Sequence, residues 1–164
     1  MGVVDTRLHL GSGEHYTPGW FNVDVDPIWP TDLLCDANDL PGYCAAGTFT
    51  HLYLGHYLEH IPYGQIPAMM ERVLTVCTPD VKIAVVGPCY ELAKVHAPEL
   101  LYNIADRGET SPGSHRWTAT AAATRRILIQ CGLHPRTVPV AEISKPEWPN
   151  PSDAKWQCAF LCSR

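Results

Sequence analysis

The chain has 164 residues, of which 46% are apolar and 18% are charged, and this ordinary globular composition excludes a disordered or repeat-dominated protein. No run approaches the roughly 18 consecutive apolar residues that a membrane-spanning helix needs. The formal net charge of -5 argues against a broad phosphate-binding face.

The length predicts a single domain over residues 1–164. The first residues lack the basic segment and following apolar run of a secretory signal, so we expect a cytoplasmic protein. Seven cysteines, an odd number, are scattered along the chain without a C-x-x-C pair. Buried reduced thiols explain this pattern best, since a zinc ribbon needs paired spacings that are missing here.

Short apolar and β-branched runs alternate with helical or loop material, which is typical of an α/β sheet. Two stretches with apolar residues at helical spacing, 63–77 and 118–131, predict helices packed on the sheet, the second ending at Gly132. Residues 91–114 contain prolines and glycines that predict a short helix and then an irregular loop. The predicted strands are, in chain order, 7–10, 21–25, 32–35, 51–54, 81–86, 137–142 and 156–162.

The connections between the predicted strands set the topology. The last two strands are joined by SKPEWPNPSDA, which is too short and too rich in proline for a crossover helix, so these strands should pair antiparallel. The first two strands are separated by a segment with barely room for a helix. We therefore expect a minimal version of an α/β fold.

Glycine and acidic residues follow the first three predicted strands. The first strand ends in Gly11-Ser12-Gly13, the second in Asp24 and the third in Asp36. All three ends meet at the edge where open parallel sheets bind ligands, and a carboxylate there can accept both hydroxyls of a ribose. Tyr16 occupies the third glycine position of the dinucleotide fingerprint, which therefore fails. Turn or capping roles for the two aspartates stay open.

Four stretches in this half of the chain share their order with a known family. They are LHLGSG over 8–13, PGWFNVDVDP over 18–27, DLLCDANDLP over 32–41 and YLGHYLEHIP over 53–62. They resemble the L-N-L-G-C-G, P-G-W-x-N-V-D, D-x-x-x-L-P and H-x-L-E-H motifs of small class I S-adenosylmethionine-dependent methyltransferases. The resemblance continues through RVLTVCTPDVKIAVVGP, SHRW and WQCAFLC, so it covers nearly the whole chain.

This resemblance implies an α/β, Rossmann-like class I methyltransferase fold, with a seven-stranded mostly parallel sheet and an antiparallel last strand. It also implies S-adenosylmethionine as the cofactor, with Gly11 and Gly13 beside the methionine part. Asp24 would hold the ribose, Asp36 would lie near the adenine amino group and His56 near the sulfonium. The full set assigned to cofactor binding is Leu10, Gly11, Ser12, Gly13, Asp24, Val25, Asp36, Ala37 and His56.

The chain departs from the family pattern at several positions. His9 stands where many relatives carry an acidic residue, and His15 stands where a further glycine is usual. The P-G-G turn of the family is Thr78-Pro79-Asp80 here. A homodimer contact or a partner chain is therefore a candidate for closing the cofactor site.

The histidine motif admits two interpretations. His56-Tyr57-Leu58-Glu59-His60 satisfies H-x-x-E-H, the signature of a zinc hydrolase helix. That chemistry needs a stable helix, and Pro62 follows too soon for one, so we expect no metal site of this kind. In the methyltransferase interpretation, His56 and His60 are the candidate catalytic bases. A purely structural role for His60 stays open.

The acceptor is less well defined than the cofactor. Tyr90, His115 and Trp117 are candidate substrate-binding residues, although the H-R-W segment could equally anchor its loop to the sheet. Pro88-Cys89 follows the wrong strand for a cytosine methyltransferase nucleophile, and no [DNS]-P-P-[YFW] signature is present. Duplex DNA is therefore disfavoured as a substrate.

The sequence predicts a cytoplasmic S-adenosylmethionine-dependent methyltransferase that acts on a small molecule or another non-duplex acceptor. Methyl transfer would proceed by in-line displacement, with most of the rate enhancement coming from alignment of the reactants. A non-catalytic accessory protein that binds S-adenosylmethionine is the alternative, because one fold can host many functions. The zinc hydrolase is a third and weaker candidate.

Overall fold

The computed structural model describes residues 6–105, 108, 114–143, 147–149 and 155–164. The strands in these ranges are Arg7–Leu10 (β1), Phe21–Asp24 (β2), Leu33–Leu34 (β3), Phe49–Gly55 (β4), Cys77–Pro88 (β5), His134–Val138 (β6) and Gln157–Ser163 (β7). They form one seven-stranded sheet in the order β3-β2-β1-β4-β5-β7-β6. Only β7 runs antiparallel to its neighbours β5 and β6. The predicted fold class is confirmed.

Short helices lie between the strands. The α-helices of the described ranges are Ile66–Thr75 (α1), Tyr90–His96 (α2), Leu101–Ile104 (α3), Ala121–Gln130 (α4) and Val140–Ile143 (α5). Short 3₁₀ helices span Ala37–Gly42, Leu58–His60, Tyr63–Gln65 and Pro98–Leu100. The two predicted long helices are thus present as α1 and α4, and the second stops at Gly132, whose φ of +76° suits glycine.

The period-2 alternation of the central strands builds two hydrophobic layers. Leu8 and Leu10 of β1 and Leu52 of β4 face the main core, which α1 and α4 cover. Tyr53 faces the opposite side, where it joins a smaller cluster around Trp20. Both faces of β1 and β4 are therefore buried, as expected for the interior of a parallel sheet.

The connection between β1 and β2 is the trimmed part of the fold. Residues 11–20 are all described and contain no helix. The backbone returns through a turn in which the Asn22 side chain donates to the carbonyl oxygens of Thr17 and Trp20. Asp32 in turn accepts from the Asn22 amide at 2.8 Å. Buried polar contacts thus replace a crossover helix, and the end of β1 remains open to a cleft.

The prediction for the sixth strand was wrong in its bounds. The strand runs over His134–Val138 instead of 137–142, and α5 occupies Val140–Ile143. Pro139 ends the strand because it has no N–H for the ladder. Pro135 is tolerated inside the strand because β6 lies at the sheet edge. The predicted antiparallel pairing of the last two strands is confirmed.

The segment predicted as a short helix and loop contains α2, a 3₁₀ turn and α3. The short helix is confirmed as α2, and residues 98–104, predicted as loop, are helical. Of the remaining loop, residues 106–107 and 109–113 lie outside the described residues, as do 144–146 and 150–154 of the last connection. No helix among the described residues has the length and apolar character required to cross a bilayer.

Candidate active site

A cleft opens at the carboxyl ends of β1, β2 and β4. Its volume is about 620 Å³, within the range of small-molecule and cofactor sites. The lining residues are Leu10, Gly11, Gly13, Val23, Asp24, Val25, Asp26, Trp29, Cys35, Asp36, Ala37, His56, Tyr57, His60, Ile61 and Arg116. The ends of the first four strands therefore converge on one hollow, as the sequence predicted.

The glycine loop after β1 is shaped by backbone torsions that favour glycine. Gly11 has a φ of +70° and Gly13 a φ of +49°. The Tyr57 ring packs so closely on Gly11 that a Cβ there would overlap it. The Gly11 amide donates to the Val23 carbonyl oxygen at 2.8 Å, which fixes the loop against β2.

Asp24 ends β2 and organises this loop. Its Oδ2 accepts from the Gly13 amide at 2.8 Å, and its Oδ1 accepts from the Asp26 amide at 2.9 Å. A carboxylate has about four acceptor positions, so each oxygen keeps a lone pair for a ligand. Asp24 is thus both a turn residue and a candidate ligand residue.

Asp36 follows β3 and caps the 3₁₀ helix Ala37–Gly42, because its Oδ1 accepts from the Asn38 amide at 2.8 Å. Both Asp36 and Ala37 also line the cleft. The capping role and the ligand role, which the sequence left as alternatives, are therefore compatible. Ser12 does not line the cleft; its hydroxyl is buried and finds no hydrogen-bond partner among the described residues.

His9 lies in β1 just before the glycine loop, on the face opposite to that of Leu8 and Leu10. Its ring contacts Tyr53 edge to face at 5.0 Å, and its Nδ1 lies 3.3 Å from the Thr17 hydroxyl. Burial lowers the pKa of His9 to about 4, although contact with Asn22 acts in the opposite direction. His9 is therefore a neutral core residue, in the place of the acidic residue that many class I methyltransferases carry.

The H-x-L-E-H segment forms the opposite wall of the cleft. His56 has a φ of +50°, the one positive value of a non-glycine residue in the described chain. Its amide donates to the Val86 carbonyl oxygen at 2.8 Å. Its Nδ1 lies 3.2 Å from Oε1 of Glu59, and its Nε2 contacts the Gln157 side-chain amide. Both ring nitrogens of His56 are thus engaged.

Glu59 is buried in this wall, with 2% of its surface exposed. Burial acts to raise its pKa, but the contact with His56 and the charges of His56 and His60 outweigh burial, so the net direction is downward. The contact with His56 lacks hydrogen-bond geometry, and Oε1 finds no hydrogen-bond partner in the described structure. Glu59 is thus a buried carboxylate with unused acceptor capacity.

The loop that carries His115 closes over the same segment. The Arg116 amide donates to the Glu59 carbonyl oxygen at 2.7 Å, and Nε1 of Trp117 donates to the Leu58 carbonyl oxygen at 3.0 Å. The rings of His60 and His115 stand edge to face with their centroids 5.0 Å apart. Burial lowers the pKa of His115. Two segments distant in sequence therefore form one rigid wall.

Solved structures of methyltransferases match this fold. A SAM-dependent methyltransferase from Archaeoglobus fulgidus matches with a TM-score of 0.64 and 11% identity, over 96% of this chain and 85% of the other. The protein DhpI, solved with SAH, matches at 0.61 and 15% identity, over 94% and 74%. The fold is that of a class I methyltransferase.

A third match is a complex of the Haloferax volcanii Trm112 methyltransferase activator with a methyltransferase. It gives a TM-score of 0.61 at 18% identity and covers 98% of this chain and 82% of the other. No family model matches the chain, and no curated protein does. At these identities the likeness establishes the class I methyltransferase fold.

The candidate substrate residues are dispersed in this fold. Trp117 is 7% exposed and anchors its loop, and it does not line the cleft. Tyr90 begins α2 and is also absent from the lining, as is the buried thiol of Cys89. His115 reaches the cleft wall only through His60. Of the H-R-W segment, Arg116 is the residue that lines the cleft.

The helix required for an H-x-x-E-H hydrolase does not form. The segment contains only the 3₁₀ turn Leu58–His60, and the left-handed backbone of His56 precedes it. His56 and His60 therefore do not lie one turn apart on a common helix. Pro62 follows this turn, as the sequence indicated.

Sequence reasoning missed three contributors to the site. Tyr57 covers Gly11, Glu59 is the buried acid between the histidines, and Gln157 reaches His56 from β7. Tyr57 and Glu59 belong to the quoted histidine motif, so an acid flanked by two histidines was the available signal. Gln157 carries no such signal, because its contact spans 101 positions of sequence.

Proposed function

We propose that this protein binds S-adenosylmethionine in the cleft and transfers its methyl group to a small-molecule or other non-duplex acceptor. The observation that carries the proposal is the convergence of Gly11, Asp24, Asp36 and His56 on one hollow of about 620 Å³. The class I methyltransferase fold of the solved neighbours supports it.

The residues present fit the shape and polarity of an adenosine-containing ligand. Gly11 offers backbone without a side chain, so a ligand can approach the loop closely. Asp24 keeps free lone pairs on both oxygens, which suits two ribose hydroxyls. Asp36 and Ala37 lie further along the same hollow, where the base would be placed.

S-adenosylmethionine, when bound, supplies a methyl group already activated on a sulfonium. The protein has then to align the acceptor and exclude water, and such positioning accounts for much of the rate in transfers of this kind. His56 and His60 are our proposed catalytic residues on the acceptor side. Both histidines line the cleft. His60 is the better placed of the two for contact with an acceptor, because its Nε2 makes no described hydrogen bond, whereas both ring nitrogens of His56 are engaged.

The decisive test is binding of S-adenosylhomocysteine to the purified full chain, measured by titration calorimetry, followed by transfer of labelled methyl to pools of acceptors. Asp24→Ala should weaken binding by about 10- to 150-fold, since charge-assisted hydrogen bonds of about 1.5–3 kcal/mol are lost. Asp80→Ala is the matched control, because Asp80 is exposed in β5 and lies outside the cleft. Unchanged affinity in a folded Asp24 variant would contradict the proposal.

The trimmed crossover between β1 and β2 favours one second candidate, a non-catalytic accessory protein that binds S-adenosylmethionine. Residues 11–20 contain no helix to cover the loop. The same experiment separates the two functions. Binding without transfer to any pool, with and without candidate partners, favours the accessory role.

A second chain that closes the cleft belongs to this proposal. Val25 and Trp29 line the cleft with 62% and 37% of their surfaces exposed, and Ile28 between them is 70% exposed. The match to a methyltransferase complex with an activator supports a partner of this kind. Light scattering after gel filtration would reveal a homodimer.

All seven cysteines are free thiols, which supports action in the reducing cytoplasm.

A further inference from the structure

Three metal-ligating side chains meet in the histidine wall. One ligand atom from each of Glu59, His60 and His115 lies within 4.8 Å of the other two. Tetrahedral bonds of about 2.0–2.1 Å place ligand atoms about 3.3 Å apart. An ion would therefore draw the group together by at most about 1.5 Å, which side-chain rotation can supply.

Both histidines are held in the orientation that metal ligands adopt. Nδ1 of His60 lies 3.3 Å from the Ser114 carbonyl oxygen, and Nδ1 of His115 lies 3.0 Å from the Ile104 carbonyl oxygen. A carbonyl oxygen accepts only, so Nδ1 of each ring is the donor, and in the neutral ring this arrangement favours the lone pair on Nε2. Such a backbone contact behind the ring is typical of histidines that bind metal.

Glu59 supplies an independent observation. Its side chain is only 3% exposed, and Oε1 finds no hydrogen-bond partner in the described structure. A buried carboxylate is costly unless a charge or hydrogen bonds compensate it. The His56 contact at 3.2 Å provides part of that compensation. A cation bound by Glu59 together with His60 and His115 would provide the rest.

We propose that Glu59, His60 and His115 bind one divalent transition-metal ion of the zinc type at the wall of the cleft. Two imidazoles and one carboxylate suit this class of ion better than Mg²⁺, which prefers oxygen ligands. The backbone hydrogen bonds from Arg116 and the side-chain bond from Trp117 hold the two segments in place before any ion binds. His56 is not a ligand and instead contacts Glu59.

The position of the site suggests its use, and this step rests on the proposed function. Three protein ligands leave at least one coordination position open, as in catalytic zinc sites. His60 borders the cleft, so the open position would face the acceptor side. An ion there lowers the pKa of a bound hydroxyl. The acceptor class would then be an alcohol or phenol, and His60 would serve as a ligand instead of a base.

The test is metal binding to the full chain after treatment with EDTA and dialysis. We expect one Zn²⁺ per chain, bound on the order of 100-fold more tightly than Mg²⁺. The absorption spectrum of Co²⁺-loaded protein should show nitrogen and oxygen ligation without the near-ultraviolet band of thiolates. This spectrum excludes the seven cysteines as the source of binding and needs no variant.

Two variants locate the site. His115→Ala and Glu59→Gln should each weaken Zn²⁺ binding by at least about 10-fold, with circular dichroism confirming the fold. His96→Ala, at the exposed end of α2, is the matched control and should bind as the wild type does. Absence of stoichiometric binding, a thiolate spectrum, or wild-type Zn²⁺ affinity in both variants would each overturn the proposal.

S-adenosylhomocysteine is titrated in parallel into the EDTA-treated chain. Nucleoside binding by a chain that takes up no stoichiometric Zn²⁺ would overturn the metal site alone and leave the proposed function standing. Stoichiometric metal at Glu59, His60 and His115 without nucleoside binding would confirm the metal site and overturn the proposed function.

Discussion

The two walls of the cleft depend on different kinds of interaction. The wall after β1 to β3 consists of backbone and short-range contacts, such as the Asp24 carboxylate on the Gly13 and Asp26 amides. The histidine wall consists of buried charge and long-range contacts, such as Trp117 on the Leu58 carbonyl oxygen. Local contacts shape a receptive surface, whereas the long-range contacts place chemically reactive groups. Variants should therefore affect the two walls in different ways.

The largest effect is expected where the walls touch. Gly11→Ala forces an alanine to a φ of +70° and drives its Cβ into the Tyr57 ring, so the free energy of unfolding should fall by about 3 kcal/mol. Gly13→Ala shares the positive φ but has open space around its Cβ, so its cost should be about 1 kcal/mol. Urea denaturation measures both, and equal losses would show that the Tyr57 contact is unimportant.

The histidine wall should depend on Trp117. Trp117→Phe removes one of the two donors to the Leu58 carbonyl oxygen, which keeps the Ile61 amide at 3.1 Å, and it creates a small cavity beside Tyr63. We expect a loss of about 2 kcal/mol in unfolding free energy, mostly from the cavity. Trp29→Phe, at a position that is 37% exposed, should lower it by less than about 1 kcal/mol. Thermal and urea unfolding of both variants provides the check. An unchanged unfolding free energy in the Trp117 variant would mean that other contacts hold the loop.

The wall after β1 should be sensitive to acid through His9. The unfolded chain takes up a proton near pH 6.5, whereas folded His9 resists protonation until about pH 4 because it is buried. The unfolded state therefore binds more protons between these values, and stability falls as the pH is lowered through this window. At pH 5 the loss from His9 alone should be about 2 kcal/mol.

His9→Phe isolates this contribution, since it removes the titrating ring and keeps an aromatic group beside Tyr53. Between pH 7 and pH 5, the variant should lose about 2 kcal/mol less unfolding free energy than the wild type. The two proteins differ in no other ionisable group, so the difference reports His9 alone. Parallel losses in the two proteins would contradict the burial of a neutral His9.

The smallest effect separates the two roles of Asp36. Asp36→Ser keeps an oxygen that can cap the 3₁₀ helix, so stability should change by less than about 0.5 kcal/mol. Removal of the carboxylate should weaken S-adenosylhomocysteine binding by about fivefold, or about 1 kcal/mol. Asp39→Ser, on the same short helix but outside the cleft lining, is the control. If Asp36→Ser lowered stability but left S-adenosylhomocysteine affinity unchanged, Asp36 would serve only as a helix cap.

The sequence by itself determined the sheet and the wall of the cleft that follows β1 to β3. Strand positions follow from short apolar runs, and glycine and aspartate at strand ends meet because parallel strands share an edge. It did not determine the bounds of β6, which begins before the predicted position and contains Pro135, because an edge strand tolerates a residue without an N–H.

Only the tertiary structure decided the histidine wall. The contact of His60 with Ser114 spans 54 positions and that of His56 with Gln157 spans 101. Contacts of this range depend on where loops and the antiparallel last strand come to lie, which local propensity does not encode. Burial of Glu59 follows from that packing, and with it the charge that pairs with His56 and the proposed metal site.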